Sequence, residues 1–198
     1  MVSSGSPETR EAILEAAWER ITEGGPLGLK LGAVARDADV SRQAIYLHFG
    51  SRGGLLLALV DFIDQKFQLA DYFADLPDTD DPVAHLLDLL RVTARYAPKI
   101  QEVGLAFEFT RHQDEDIQAA FDDRMTQRLT QIRGAVAAIA DAGRLADGWT
   151  VDQVADAIWA LGKPSFYDSV VTERGWTVAQ YEEFLVRVVR STFVIGPG

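Results

Sequence analysis

Apolar side chains return at spacings of three and four from the start of the chain, and the first such stripe is Ile13, Leu14, Ala17, Trp18 and Ile21. That period belongs to one face of a helix. Ser6-Pro7 supplies a cap and a helix-starting proline ahead of it, and Gly24-Gly25-Pro26 closes it. A short second helix is expected from about Lys30 to Ala38, with Leu31, Val34 and Ala35 inward. Asp39-Val40 makes a turn, Ser41 caps a third helix reaching Phe49, and Gly50-Ser51 breaks it. A long fourth helix should run to about Phe73.

After the acidic loop Asp75 to Asp81, the pair Asp81-Pro82 repeats the cap-plus-proline signal and opens a helix to about Ala97. Pro98 is expected to start a shorter helix ending near Arg111. From Asp114, the series Ile117, Phe121, Met125, Leu129, Ile132, Val136 and Ile139 predicts a long amphipathic helix, closed by Gly143. Gly148-Trp149-Thr150-Val151-Asp152-Gln153 and Gly175-Trp176-Thr177-Val178-Ala179-Gln180 each hold the T-x-x-Q form of a capping box, with tryptophan placed to act as a hydrophobic staple. They predict helices over about 151–173, kinked at Pro164, and about 178–193. No segment alternates as a strand does. The expectation is an all-α protein of about nine helices.

Composition narrows the classes. With 198 residues, 47% hydrophobic and 25% charged, the chain can bury a core without staples. It has no cysteine, which excludes disulfides, thiolate metal sites and a cysteine nucleophile. Met1 to Arg10 is small and polar, unlike a signal peptide, and Leu55 to Val60 is far too short to span a bilayer. A cytoplasmic protein with no membrane partner is expected. The net charge of −11 argues against a polyanionic partner, until its distribution is considered. Residues 1–52 hold six basic and seven acidic side chains, so nearly all of the excess lies in 53–198. Lys30 to Arg52 is net basic.

The stretch from Leu29 to Phe49 carries the functional signal. A helix-turn-helix needs a short helix, a tight turn and a second helix whose outer face enters the major groove. Val34, Ala35, Val40, Ile45 and Phe49 supply an inward face, leaving Arg42, Gln43, Tyr46 and His48 outward. Arginine matches guanine O6/N7 and glutamine matches adenine N6/N7, while Ala44 is placed to meet a thymine methyl.

The pattern V-A-x-x-A-x-V-S-R-x-x-I-Y-x-H-F-x-S-R-x-x-L, followed by a long helix, resembles the DNA-binding domain of the tetracycline-repressor (TetR) family over roughly residues 8–60. The resemblance implies base-edge and phosphate contacts from Ser41, Arg42, Gln43, Tyr46 and His48, and phosphate contacts from Lys30 and Arg52. His48 has a structural reading beside the phosphate one. The resemblance also implies a division into residues 1–52, a three-helix DNA-binding domain, and 53–198, a helical domain that binds ligand and dimerises. Two positions depart from the family. Asp39 stands where glycine is usual in the turn, a substitution Asp tolerates at modest cost. Gly53-Gly54 replaces a usual acidic pair and is expected to weaken the first turn of the fourth helix.

For the larger domain, the expected pocket lining is Phe67, Leu86, Leu90, Thr93, Tyr96, Phe107, Met125, Leu129, Trp159 and Phe166, suited to a small hydrophobic or aromatic effector. Each residue has ordinary core as its alternative. A seam of Tyr181, Phe184, Leu185, Val188 and Val189 on the last helix suggests a homodimer, once part of it has covered the core. The partners implied are a palindromic double-stranded DNA operator, a small-molecule effector and a second copy, with no cofactor.

Two other readings stand beside this one. An enzyme would need chemistry that the chain does not advertise: His48, His85 and His112 are isolated, and no P-loop, nucleotide-binding glycine motif or G-x-S-x-G elbow is present. The cluster His112, Asp114, Glu115 and Asp116 suits a cation on paper, though Asp114 is also a natural helix cap. A helical small-molecule binder that has lost DNA binding is the second alternative, with Asp39, Gly53 and Gly54 as its signs.

Overall fold

The computed structural model describes residues 6–24, 29–74, 76–113 and 115–196. Among them are ten α-helices and no strand, beyond an isolated antiparallel bridge between Leu145 and Val194. They fall into two compact units, Met1–Phe67 with Lys99–Arg124, and Gln68–Pro98 with Met125–Gly198.

The first unit opens with α1 (Pro7–Gly24), where Ser6 Oγ accepts from the Thr9 amide at 3.3 Å as the cap predicts. The Gly25-Pro26 stop lies outside the described residues. α2 (Leu31–Asp37), α3 (Arg42–Phe49) and α4 (Arg52–Lys66) complete the N-terminal bundle. Ile13, Ile21, Val34, Ile45, Leu55, Leu59 and Ile63 are fully enclosed, and side chains of this size contribute about 1.5–3 kcal/mol each on burial.

The fourth helix ends sooner than its sequence suggests. Gln68 takes φ +53°, which an α-helix cannot accommodate, and a separate α5 (Leu69–Ala74) follows. Phe67 meets Trp18 edge-on at 5.7 Å and lies under the Lys99 ammonium at 4.9 Å, so packing holds the chain in this turn. Pro98 errs the other way. It does not start a helix but sits inside α6 (Pro82–Thr110), where it forfeits only the bond to the Ala94 carbonyl. Buried residues on both sides, including Leu86, Leu90, Val103 and Phe107, hold the helix through it. A short 3-10 turn (Arg111–Gln113) leads to α7 (Glu115–Asp141).

In the second unit, α8 (Val151–Leu161) and α10 (Val178–Phe193) both start with complete capping boxes, Thr150 with Gln153 and Thr177 with Gln180. The preceding tryptophans pack against aromatic rings of α10. Trp149 meets Phe193 at 4.8 Å and Trp176 meets Phe184 at 5.5 Å. Pro164 breaks the chain rather than kinking it: Lys163 is extended, a four-residue α9 (Pro164–Tyr167) follows, and Asp168–Glu173 continues as a π-helical stretch. The core joins Leu86, Leu90, Val136, Ile139, Val154, Ile158, Val189 and Phe193, with Ala94, Tyr167, Tyr181 and Leu185 forming a second cluster.

Candidate nucleic-acid interface

The turn between α2 and α3 closes as a Schellman motif. The Val40 amide donates to the Ala35 carbonyl at 2.9 Å and the Asp39 amide to the Arg36 carbonyl at 3.2 Å. Asp39 occupies the left-handed position that glycine usually takes, at φ +51°. The departure from the family pattern therefore preserves the turn. Ser41, extended at φ −79° and ψ 153°, then caps α3 by accepting from the Ala44 amide at 3.1 Å, which leaves its O–H free to donate outward.

The start of α4 is equally well determined. Ser51 Oγ accepts from the Gly54 amide at 3.0 Å. A Cβ on Gly54 would lie 2.0 Å from the Phe49 carbonyl oxygen, so only glycine lets α3 and α4 approach this closely. Gly54 is therefore a packing requirement at the start of α4, whatever it costs in helix propensity.

These constraints present one face of α3. Lys30, Ser41, Arg42 and Gln43 are exposed, and Tyr46 keeps 46% of its surface. Four of the seven expected contacts thus lie together on α3, with Lys30 at the cap position of α2. The other two differ. His48 is partly buried beside Phe49, its Nε2 enclosed without a partner among the described residues. Arg52 is partly buried and donates from Nη2 to the Leu29 carbonyl at 3.0 Å, which ties α4 to the segment leading into α2. Arg52 is therefore at least as much a brace as a phosphate ligand. Ala44, expected at a thymine methyl, is buried. Leu47 takes its place on the surface with 70% exposure, the largest apolar projection of the helix. Sequence reasoning passed over it because apolar residues are assigned inward by default. Its spacing of four from Gln43 was the available signal.

The electrostatics favour a polyanion at this end. Arg20 makes a two-pronged pair with Asp37 that links α1 to α2. The hydrogen bond from Arg20 holds the Asp37 carboxyl below its ordinary value, so Asp37 stays ionised with its charge paired to Arg20. Lys30, Arg36 and Arg42 then outnumber the single unpaired acid of the motif, Asp39.

The other expected sites are redistributed. Leu86 and Leu90 are interdigitated with Val136, Ile139 and Ile158, which makes them core rather than lining. Tyr96 is buried, and the Thr93 hydroxyl donates to the Leu89 carbonyl at 2.9 Å. Phe67 and Phe107 belong to the first unit, where Phe107 packs on Phe121 at 6.4 Å. Met125, Leu129, Trp159 and Phe166 of the second unit remain partly exposed. A groove of about 740 Å³ on the first unit, lined by Arg10, Glu11, Phe62, Gln65 and Lys66 among others, includes none of the ten. On α10, Tyr181, Leu185 and Val189 are enclosed by their own chain and are unavailable to a partner, whereas Phe184 and Val188 keep exposure. In the acidic cluster after α6, Asp114 lies outside the described residues, and no group of three metal-ligating side chains gathers among the described ones.

Residues 13–59 match the family model described as bacterial regulatory proteins, tetR family. The chain is 28% identical over 148 residues to the HTH-type transcriptional regulator BetI of Rhizobium meliloti, covering 72% of each. A transcriptional regulator from Saccharomonospora viridis, solved in complex with choline, matches with a TM-score of 0.75 at 20% identity, over 96% of this chain and all of that one. NalD of Pseudomonas aeruginosa, the secondary repressor of the MexAB-OprM multidrug efflux pump, matches with a TM-score of 0.70 at 23% identity, over 96% of this chain and 98% of that one.

Proposed function

We propose that this chain, a regulator of the tetR family, binds a palindromic DNA operator as a homodimer and is released from it by a small-molecule effector. The observation that carries this reading is the outward face of α3, held by the Schellman turn at Asp39 and by Gly54 at the start of α4. Arg42 and Gln43 are the base-reading side chains and Leu47 supplies the apolar contact to a thymine methyl. Ser41, Tyr46 and Lys30 hold phosphates, with His48 and Arg52 in supporting positions. The helix-turn-helix of residues 1–52 reads DNA, and residues 53–198 take the effector and the second copy.

Related regulators support the ligand-responsive part: one was solved with choline bound and another represses an efflux pump. The relatives are regulators rather than enzymes, and we extend that to this chain, as a cytoplasmic repressor. No helix among the described residues is long and apolar enough to cross a membrane. Dimerisation falls to Phe184 and Val188 of α10, together with the exposed side of α8. The coupling follows from geometry. A dimer must meet two half-sites roughly 34–36 Å apart at once, so a small change in the spacing of its two reading helices forfeits most of the affinity.

Selection from a random DNA pool at moderate salt tests the reading without assuming an operator. Enrichment of a palindrome is expected. A folded protein that enriches nothing would favour a helical binder that has lost DNA recognition.

A further inference from the structure

In the second unit one half-buried positive charge meets no carboxylate among the described residues. Arg128, on α7, sends Nη1 to the Gly162 carbonyl at the end of α8, at 2.7 Å. Its Nη2 lies 1.9 Å from where a Cβ on Gly162 would stand, so the absence of a side chain there makes room for the guanidinium. Several other arginines of this unit reach acids: Arg95 with Glu182, Arg133 with Asp152, and Arg144 with Asp81. Arg128 has no such partner among the described residues. The residue is partly exposed as a whole, yet protein atoms crowd its guanidinium closely enough that desolvation lowers its affinity for the proton.

Further donors and a cation lie nearby. Trp159 lies three residues before Gly162, on the same face of α8, and its indole N–H is buried with no acceptor among the described residues. The Lys163 ammonium stands 4.5 Å over the Trp159 ring. Tyr181, whose hydroxyl donates to the Leu161 carbonyl at 2.9 Å, completes the wall, and burial holds its proton up to about 12. The carbonyl end of α8 offers some compensation to Arg128, but a helix terminus carries only about half a charge. A partly desolvated guanidinium without a counter-ion among the described residues is costly to keep for structure alone.

We propose that the effector is a small organic anion, whose acidic group is gripped by the Arg128 guanidinium and accepts from the Trp159 N–H. This rests on the ligand-responsive reading above and gives that ligand a charge. It also sets this chain apart from the relative solved with choline, because a quaternary cation would be repelled by Arg128. Carboxylates and phosphate monoesters share the chemistry that a guanidinium fork recognises.

The test is thermal unfolding of the full chain with millimolar benzoate, octanoate or phenyl phosphate, against benzyl alcohol, 1-octanol and choline. At least one anion is expected to raise Tm by roughly 5 °C, with its neutral counterpart nearly inert. Whether carboxylates or phenyl phosphate give the larger shift identifies the acid class. Arg128→Gln should abolish the shift and Arg128→Lys retain part of it. Without ligand, Arg128→Gln should be as stable as the parent or more so, whereas an arginine kept for structure would lower Tm on removal. If that variant does not fold, Trp159→Phe should weaken the anion several-fold. Equal shifts from neutral probes, no shift from any anion, or an undiminished shift in Arg128→Gln would each overturn the proposal. The two readings fail separately. Anion binding without an enriched DNA sequence sinks the regulator and keeps the anion site, while an operator released only by neutral or cationic probes does the reverse.

Discussion

The reading helices and the α7–α10 region treat charge in opposite ways. Around α2 and α3, the fully buried residues are apolar, His48 keeps an enclosed Nε2 without a partner among the described residues, and Arg42, Gln43 and Lys30 project into solvent, where a polyanion can meet them. Asp37, which would oppose that partner, is paired with Arg20. Around α8 the arrangement is inverted, with Arg128 drawn inward against a backbone carbonyl and Trp159 left with an unanswered donor. A surface for DNA is laid out in advance because phosphate charge arrives from outside. A pocket for one small molecule has to store its complementary charge within the protein, and the free protein bears that cost as lost stability.

The comparison can be broken at several points. The largest effect is expected at Ile45, the enclosed anchor of α3. Ile45→Ala should destabilise the N-terminal bundle by about 2–5 kcal/mol, read by urea denaturation. A loss below 1 kcal/mol would mean that α3 is held by something other than its core. Next is Val188→Glu, which places a charge on the part of α10 left exposed. The protein should become monomeric by light scattering at micromolar concentration without loss of helicity, and a variant that stays dimeric would move the interface away from α10.

Smaller effects sharpen the DNA face. Arg42→Ala should cost about 1–3 kcal/mol in operator affinity and relax the preference at one base position. A uniform loss across all sequences would make Arg42 a phosphate contact instead. Tyr46→Phe removes one hydroxyl and should weaken operator binding by about 1 kcal/mol with unchanged Tm; undiminished affinity would assign the ring to packing. The smallest change is Asp39→Gly. It relieves a left-handed residue but loosens the unfolded chain, and these offset to within about 1 kcal/mol, measured as Tm. A large loss would show that the Asp39 side chain has a role of its own.

Much of the fold was legible in advance, and the legible parts share a physical cause. The two capping boxes, the Ser6 and Ser41 caps and the stripe of α1 are local, decided by residues within one or two turns of each other. Their outcomes match the periodicity and side-chain chemistry that predicted them. The misreadings involve partners distant in sequence. Gln68 breaks a helix where Phe67 is held by Trp18 and Lys99, and Pro98 stays in a helix because both of its flanks are buried. Ala44, expected at the surface, is buried, and Leu47, to which no place was assigned, is exposed, because apolar character alone does not say which way a residue of a short helix points. The seam on α10 divided for the same reason: five apolar residues are visible in the chain, but only packing decides that three of them are already taken.

By itself, the sequence determined the helix-turn-helix, its cap, its left-handed turn at Asp39 and the outward placement of Arg42, Gln43 and Tyr46, since each depends on neighbours a few residues away. Only the tertiary structure decided that Arg52 braces the Leu29 segment and that Arg128 meets Gly162 across 34 residues of chain. Close approach and desolvation are properties of groups brought together by folding, and no periodicity along the chain records them.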